Sequence, residues 1–152
     1  MKFISNPNVL YKTILEIVRT ANSFLYIVSP YISFEKNFSS INAFRNAFFN
    51  ARKRNVAIRI VTRGRDPQAP RDNVFVIQDF LNYHNHIYLV PYLHSKIYCN
   101  ESVALISSLN LSISSLFNQN EECGILIEKS NPNEAKEFQN ILFYVDYLIQ
   151  IP

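Results

Sequence analysis

Apolar residues recur at helical spacing in four stretches of the chain. In the first stretch, Asn6 is the expected cap and Pro7 the expected first helical residue, while Ser39 or Ser40 is the expected cap of the second. Every third or fourth residue after each start is apolar, which places these side chains on one face of the helix. The expected core positions are Leu10, Ile14, Ile17 and Ala21 in the first helix and Ile41, Phe44, Phe48 and Ala51 in the second.

The other two helical stretches lie further along the chain. Asp72 is the expected cap of a third helix, and Asn131-Pro132 with Glu134 is typical of a capping box that opens the last one. The expected core positions are Val74, Ile77 and Leu81 in the third helix and Phe138, Leu142, Val145 and Leu148 in the last.

Short apolar runs between the helices predict strands at 24–29, 56–62, 87–90, 93–99, 103–107 and 123–127. Pro30 closes the first run, residues 64–71 form an exposed loop with two prolines, and Asn100-Glu101 marks a hairpin turn. This order of helices and strands favours one α/β domain over residues 1–152, with a mixed β-sheet and helices on both faces.

The composition agrees with a globular fold. The chain has 152 residues, of which 48% are hydrophobic and 18% charged, which suits a domain with a core of its own and argues against disorder. No stretch approaches the roughly eighteen apolar residues of a membrane span, and no signal-peptide pattern follows Met1-Lys2. We therefore expect a soluble, cytoplasmic protein without a membrane partner.

The charge weakly favours polyanionic partners. The net charge is +3 and the isoelectric point is about 8.9. The basic residues occur in two clusters, one at 52–54 and one at 63–71 that includes Arg71. Such clusters are often only a solvated face, but two chains side by side could align them along one groove. The candidate nucleic-acid-binding residues are Arg52, Lys53, Arg54, Arg63 and Arg65.

The two cysteines, Cys99 and Cys123, lie in apolar runs, so we expect buried free thiols and no disulfide. His84 and His86 could be combined with them into a zinc site on paper, but the spacing fits no compact pattern of zinc ligands. We expect no metal and no other cofactor.

Three polar pairs between residues 94 and 122 carry the candidate chemistry. They are His94-x-Lys96, Ser108-x-Asn110 and Asn120-x-Glu122. His94 and Lys96 are two apart on an expected strand and should project from the same face. Histidine is a nucleophile and general acid, lysine a cation for a phosphate oxygen, and serine and asparagine donate hydrogen bonds. With a carboxylate to orient the imidazole, these residues suffice for phosphoryl transfer without a metal ion.

This order of pairs, with Ser29-Pro30-Tyr31-Ile32 after the first strand, resembles the signature of the phospholipase D superfamily, the HKD motif. The resemblance covers nearly the whole chain as one repeat of the usual two. It is most similar to small single-motif bacterial nucleases and to the nuclease domains of some metal-independent restriction enzymes. It implies a phospholipase D-like half as the fold.

Two positions depart from the family pattern. The hairpin turn is one residue shorter, so that Asn100 or Glu101 stands where the family has an aspartate, and Ser107 replaces a glycine. A degenerate member that only binds its ligand therefore stays an alternative.

The resemblance implies a two-step reaction in a homodimer. One His94 attacks phosphorus to form a phosphohistidine, and the His94 of the second chain protonates the leaving oxygen and then activates water. Lys96 and Asn110 hold the phosphate oxygens with help from Ser108, and Glu122 orients its own His94.

A nuclease is the favoured activity because the chain is basic and has no membrane element. The alternatives are a phospholipid headgroup hydrolase, which usually has two motifs in a longer chain, and a non-catalytic nucleic-acid-binding or dimerisation module of the same fold. Some tyrosines could stack on bases, although aromatic residues near strands more often belong to the core. They are Tyr83, Tyr88, Tyr92 and Tyr98.

Overall fold

A computed structural model of the chain describes residues 1–33, 39–69, 86–112 and 120–152, with the backbone alone for 39–42. Its elements are β1 (Lys2–Ile4), α1 (Pro7–Thr20), β2 (Phe24–Val28), α2 (Ser39–Lys53), β3 (Ala57–Arg63), β4 (Ile87–Val90), β5 (Ile97–Asn100), β6 (Val103–Ser107), β7 (Gly124–Glu128) and α3 (Ala135–Gln150). The helix expected after Asp72, with Val74, Ile77 and Leu81, lies outside the described residues. Strand β1 was not predicted, because three residues are too few to show a strand pattern.

The seven described strands form one mixed sheet in the order β1-β7-β6-β5-β2-β3-β4. Strands β2, β3 and β4 run parallel, and the other neighbours are antiparallel. Val28 is opposite Ile97, and Ser107 is opposite Gly124. The ends of β2, β3 and β6 and the starts of β5 and β7 therefore meet along one side of the sheet, which we call the site edge.

Helices cover both faces of this sheet. On one face α1 and α2 bury Leu10, Ile14 and Phe44 against strand residues such as Leu25 and Leu105. On the other face α3 packs Phe138 and Val145 against residues such as Val28 and Ile97. The expected α/β fold, with a mixed sheet between helices, is confirmed.

The start of α1 is as expected, and the start of α3 is not. The side-chain oxygen of Asn6 accepts hydrogen bonds from the N–H groups of Asn8 at 2.9 Å and Val9 at 3.2 Å. Helix α3 begins at Ala135 without a side-chain cap. The expected capping box is wrong, because the buried Glu134 carboxylate is bound to the N–H of Glu128 at 2.8 Å instead.

The short hairpin turn between β5 and β6 is anchored by a buried asparagine. The side-chain oxygen of Asn100 accepts hydrogen bonds from the N–H groups of Ser102 at 2.9 Å and Val103 at 3.1 Å. Its amide nitrogen donates to the carbonyl of Ile17 at 2.9 Å, near the end of α1. At this departure from the family pattern, Asn100 is buried and its side chain anchors the shorter turn.

Glu101 holds the same turn to the start of β2. Its carboxylate accepts hydrogen bonds from the N–H groups of Asn22 at 2.9 Å, Ser23 at 3.1 Å and Phe24 at 3.4 Å. Partial burial raises the pKa of Glu101, but these bonds and one from its own N–H outweigh it and hold the pKa below its usual range. The turn therefore connects α1, β2, β5 and β6.

The position at the site edge that leaves no room for a side chain is Gly124 and not residue 107. A Cβ atom at Gly124 would lie 2.9 Å from the Ile106 carbonyl oxygen and 2.9 Å from Leu10 Cδ2. Ser107, where the family has glycine, has room for its hydroxyl, which lies 3.2 Å from the Cys123 carbonyl oxygen. Serine is therefore compatible with the fold at that position.

Candidate active site

His94 and Lys96 lie in an extended segment just before β5, and not on a strand as expected. The side chains of Leu93 and Ile97 are buried and fix the two ends of this segment. The imidazole of His94 is exposed, while Lys96 is half-buried and its Nζ donates to the His94 carbonyl oxygen at 2.8 Å. The two side chains share the site edge because of these anchors and not through strand alternation.

Lys96 is a partly desolvated cation. Burial lowers its pKa, and the negative charge of Glu122 opposes that shift. Glu122 therefore lies close enough to act on Lys96 electrostatically. An ammonium group that has lost part of its hydration gains more from a phosphate oxygen than a fully hydrated one.

Glu122 is bound to a partner other than the expected one. Its carboxylate accepts a short hydrogen bond from Ser108 Oγ, which also receives the N–H of Cys123 at 3.0 Å. Within the described part of the chain, no hydrogen bond joins Glu122 to the imidazole of His94. The expectation that Glu122 orients its own His94 therefore has no support in the isolated chain, where Glu122 instead fixes Ser108.

The segment that carries Asn110 is held by Tyr98 and Ser29, for which the sequence predicted no such positioning role. Tyr98 Oη donates to the Leu109 carbonyl oxygen at 2.7 Å, and the N–H of Leu111 donates to Ser29 Oγ at 3.0 Å. The hydroxyl of Tyr98 serves the backbone and its ring is fully buried, so stacking of Tyr98 on bases is excluded. The Ser29-Pro30 pair after β2 was the available signal for this role.

Asn110 has an open hydrogen-bonding position. Its Oδ1 is buried and has no hydrogen-bond partner among the described residues. A buried polar atom without a partner is unfavourable, and an incoming group that carries a proton would relieve that cost.

A groove of about 420 Å³ contains part of this set. One side carries His94, Lys96 and Ser108, and helix α3 contributes Asn140, Ile141 and Tyr144. Tyr144 Oη is hydrogen-bonded to Ser95 Oγ at 2.7 Å, which links α3 to the segment between His94 and Lys96. This wall was not predicted, because no motif distinguishes these helix positions from ordinary surface.

Of the two basic clusters, the described part of the one at 63–71 reaches the site edge, and the one at 52–54 does not. Arg63 ends β3 there, and Arg65 follows with an exposed side chain and φ of 63°. Arg63 is engaged by Asp66 through Nε at 3.2 Å and Nη2 at 3.1 Å. Arg71 lies outside the described residues.

The other cluster lies at the end of α2, which leads into the start of β3 at the opposite side of the sheet. Arg54 donates from Nη2 to the carbonyl oxygens of Arg19 at 2.9 Å and Ala21 at 3.0 Å, where α1 ends. Lys53 Nζ lies 4.5 Å from the centre of the Phe49 ring. The structure therefore does not bring Arg52, Lys53 and Arg54 together with His94.

The described residues include both cysteines and His86 of the zinc site considered from the sequence. Both thiols are free, and burial raises the pKa of Cys99 to about 12. Cys123 is exposed at the site edge, so its expected burial is wrong. No three His, Cys, Asp or Glu side chains come together as metal ligands in the described segments, and His84 lies outside them.

No described helix has the length and apolar character needed to cross a membrane.

Solved structures share this fold over nearly the whole chain. A phospholipase D family member, Nuc from Salmonella typhimurium, superposes with a TM-score of 0.70 at 17% identity, over 97% of this chain and 91% of that chain. Phosphatidylserine synthase from Haemophilus influenzae gives 0.72 at 16% identity, over 98% of this chain but 36% of its own. TrmBL2, an archaeal chromatin protein described as showing a novel mode of DNA binding, gives 0.57 at 12%, over 99% and 54%.

No curated protein matches the chain by sequence. The family model described as "Cardiolipin synthase, PLD-like domain" matches residues 14–143, which is most of the chain and includes the residues from His94 to Glu122. The chain therefore belongs to the phospholipase D superfamily as a PLD-like domain.

Proposed function

We propose that the protein is a metal-independent phosphodiesterase, a nuclease, that works through a phosphohistidine in an active site shared by two copies of the chain. The observation that carries the proposal is the meeting of His94, Lys96 and Ser108 in one groove at the site edge, where Asn110 and Glu122 also lie. Membership of the phospholipase D superfamily supports phosphodiester chemistry there.

The side chains suit two successive displacements at phosphorus. An imidazole nitrogen of one His94 forms a bond to phosphorus while the bond to the leaving oxygen breaks, and a second, protonated His94 gives that oxygen its proton. The second imidazole then takes a proton from water, whose oxygen attacks phosphorus and breaks the P–N bond. Lys96 and the Asn110 amide stabilise the charge on the phosphate oxygens, so no metal ion is needed.

The need for a second histidine supports the dimer. His86 immediately precedes β4, whose first residue Ile87 is paired with Ile60 in the middle of β3, so His86 lies away from the site edge. Within the described residues, His94 is the one imidazole at that edge. A two-fold axis beside the groove would supply the other one, because a symmetric interface brings the same surface of both chains together.

Nucleic acid is the proposed substrate because the net charge is positive and Arg65 is exposed at the site edge. A phospholipid headgroup is the second candidate. It is favoured by the similarity to phosphatidylserine synthase and by the description of the family model. Both substrates present the same phosphodiester group to the site.

The test compares His94→Ala with the matched control His86→Ala on an activated phosphodiester, bis(p-nitrophenyl) phosphate, in excess chelator. We expect the wild type and the His86 variant to hydrolyse it and the folded His94 variant to be inactive. Turnover by the His94 variant, or loss of wild-type activity in chelator, would contradict the proposal.

The same three proteins are then assayed on single- and double-stranded DNA, on RNA and on phosphatidylglycerol vesicles. Cleavage of a nucleic acid supports the nuclease, and cleavage of the lipid alone supports the second candidate. Binding of nucleic acid without cleavage of any substrate would favour the non-catalytic module.

A further inference from the structure

A carboxylate outside the catalytic set connects the loop after β3 to the segment that carries His94. The Asp66 side chain is 1% exposed, and Arg63 approaches it with two nitrogen atoms, Nε at 3.2 Å and Nη2 at 3.1 Å. Its Oδ1 also accepts the N–H of Gln68 at 3.0 Å, and its Oδ2 accepts the N–H of Tyr92 at 3.1 Å. The last bond crosses from the β3 loop to the β4–β5 connection, two residues before His94.

Tyr92 needs such an external bond. Its φ is 57°, in the left-handed region, which is unfavourable for a residue with a side chain. Tyr92 is 67% exposed, so packing of its side chain does not hold this conformation. The hydrogen bond to Asp66 and the burial of Leu93 are the described interactions that fix the turn.

The orientation of His94 depends on that turn. Its imidazole is exposed, and none of its ring atoms has a hydrogen bond within the described residues. The backbone therefore sets where the ring points, and the backbone is held by Tyr92 and Leu93 on one side and by Lys96 and Ile97 on the other. A shift of the nucleophile by about 1 Å can lower a reaction rate by around two orders of magnitude.

We propose that Asp66 is a positioning residue for His94, acting through the N–H of Tyr92, with Arg63 aligning the carboxylate. Arg63 then serves the catalytic segment and not mainly a nucleic-acid contact. The proposal rests on the proposed role of His94 as the nucleophile. Arg63 also holds the pKa of Asp66 below its usual range, which keeps the carboxylate ionised in mildly acidic solution.

The test replaces Asp66 by Ala and compares it with Asp146→Asn, which removes an ion-pair partner of Arg59 on a different part of the sheet. We expect kcat to fall between about 10-fold and 100-fold in Asp66→Ala with KM little changed, since the substrate groups of Lys96 and Asn110 are untouched. Asp146→Asn should match the wild type. Wild-type kcat in a folded Asp66→Ala protein would overturn the proposal.

A double variant separates positioning from general destabilisation. Glycine adopts a positive φ without steric cost, so Tyr92→Gly in the Asp66→Ala background should recover several-fold of the lost kcat. The assays are run well below the unfolding temperature of each variant, where weaker folding alone does not change kcat. A recovery of kcat there therefore reports on positioning. Absence of recovery would contradict the role of the Tyr92 turn.

A second readout does not need activity. The imidazole proton signals of His94 in the NMR spectrum, assigned with His94→Ala, should shift or broaden in Asp66→Ala and stay unchanged in Asp146→Asn. If Asp66→Ala does not fold, Asp66→Asn takes its place, because it keeps the shape and loses the charge that aligns Arg63. Unchanged His94 signals would overturn the proposal, and altered signals would support it even if the protein proved not to be a phosphodiesterase.

Discussion

At the scale of single residues, the candidate site depends on buried groups that never meet a substrate. Tyr98 and Ser29 each form a hydrogen bond with a backbone group of the segment that carries Asn110. These contacts set the position of Asn110. Substitutions beneath the site should therefore change activity as well as stability.

Replacement of Tyr98 by Phe tests this dependence. The ring keeps its packing, but the Leu109 carbonyl loses a hydrogen bond in a buried setting, which should cost about 1–3 kcal/mol of unfolding free energy. Asn110 follows Leu109 directly, so kcat should fall too. Urea unfolding and steady-state kinetics measure both, with the exposed Tyr147→Phe as control. Equal stability and activity in the Tyr98 variant would refute the coupling.

At the scale of elements, most of the strands and the helices on both faces of the sheet could be predicted from the sequence, because burial imposes a period on the residues. The start and end of β6 were correct, and α1 was correct from its cap to its core positions. The strand expected to include His94 was wrong. Its apolar residues Leu93 and Ile97 are buried as in a strand, and the Lys96 carbonyl accepts the N–H of Ser107 at 3.1 Å. The left-handed turn at Tyr92, which is bound to Asp66, precedes His94, and β5 begins only at Ile97.

The partners of Glu122 and the wall formed by α3 could not be predicted for a related reason. They depend on which segments meet at the site edge. Contacts between residues that are far apart in the chain leave no local pattern in the sequence. Glu122 meets Ser108 because β6 and β7 are neighbours. Tyr144 meets Ser95 because α3 crosses that face of the sheet.

The hairpin turn between β5 and β6 gives a prediction on pH. Because the pKa of Glu101 is lowered in the folded chain, its ionised form stabilises the fold above the pKa of the unfolded state. That stabilisation is lost as the pH falls through the folded pKa. Glu101→Gln should thus be less stable than the wild type at neutral pH, and the difference should shrink on acidification.

Unfolding free energies from urea titrations across acidic and neutral pH measure this difference. The exposed Glu16→Gln on α1 is the control and should follow the wild type throughout. A Glu101 variant whose deficit stays constant with pH would assign the effect to shape and not to charge.

At the scale of the whole molecule, charge is distributed unevenly around the sheet. Arg65 lies at the site edge, whereas residues 52–54 lie at the opposite side and partly serve the end of α1. Only the first can approach a phosphate chain that passes through the groove. The arginine-rich clusters are therefore not equivalent, although the sequence presents them alike.

Salt dependence of nucleic-acid binding distinguishes the two clusters. Each phosphate contact contributes about one unit of slope in a plot of log affinity against log salt concentration. Arg65→Gln should reduce the slope by about one unit, while Arg52→Gln with Lys53→Gln should leave it unchanged. Fluorescence anisotropy over a range of salt concentrations measures the slopes. A flatter slope for the variant with Arg52→Gln and Lys53→Gln would show that these residues contact the nucleic acid.

The proposed dimer makes activity depend on concentration. Bound phosphate should relieve the repulsion between the two Lys96 side chains of the dimer. Because phosphate then binds the dimer preferentially, it should stabilise the dimer by mass action. Sedimentation with and without phosphate measures the association. Mixing His94→Ala chains with wild-type chains should lower activity more than dilution does, because mixed dimers lack one imidazole. Full specific activity in a monomer would refute the shared site.

The pairing of β2 with β5 also has a kinetic consequence. The β5–β6 hairpin is local and can close early, but β2 is joined to β5 by contacts between residues far apart in the chain, such as Leu25 and Asn100. Ser29, just beyond β2, reaches Leu111 only after that long-range closure. During refolding the hairpin can thus form before the segment that carries Asn110 is held in place. The recovery of enzymatic turnover should therefore lag behind the amide protection of β5 and β6 and coincide with the amide protection of β2.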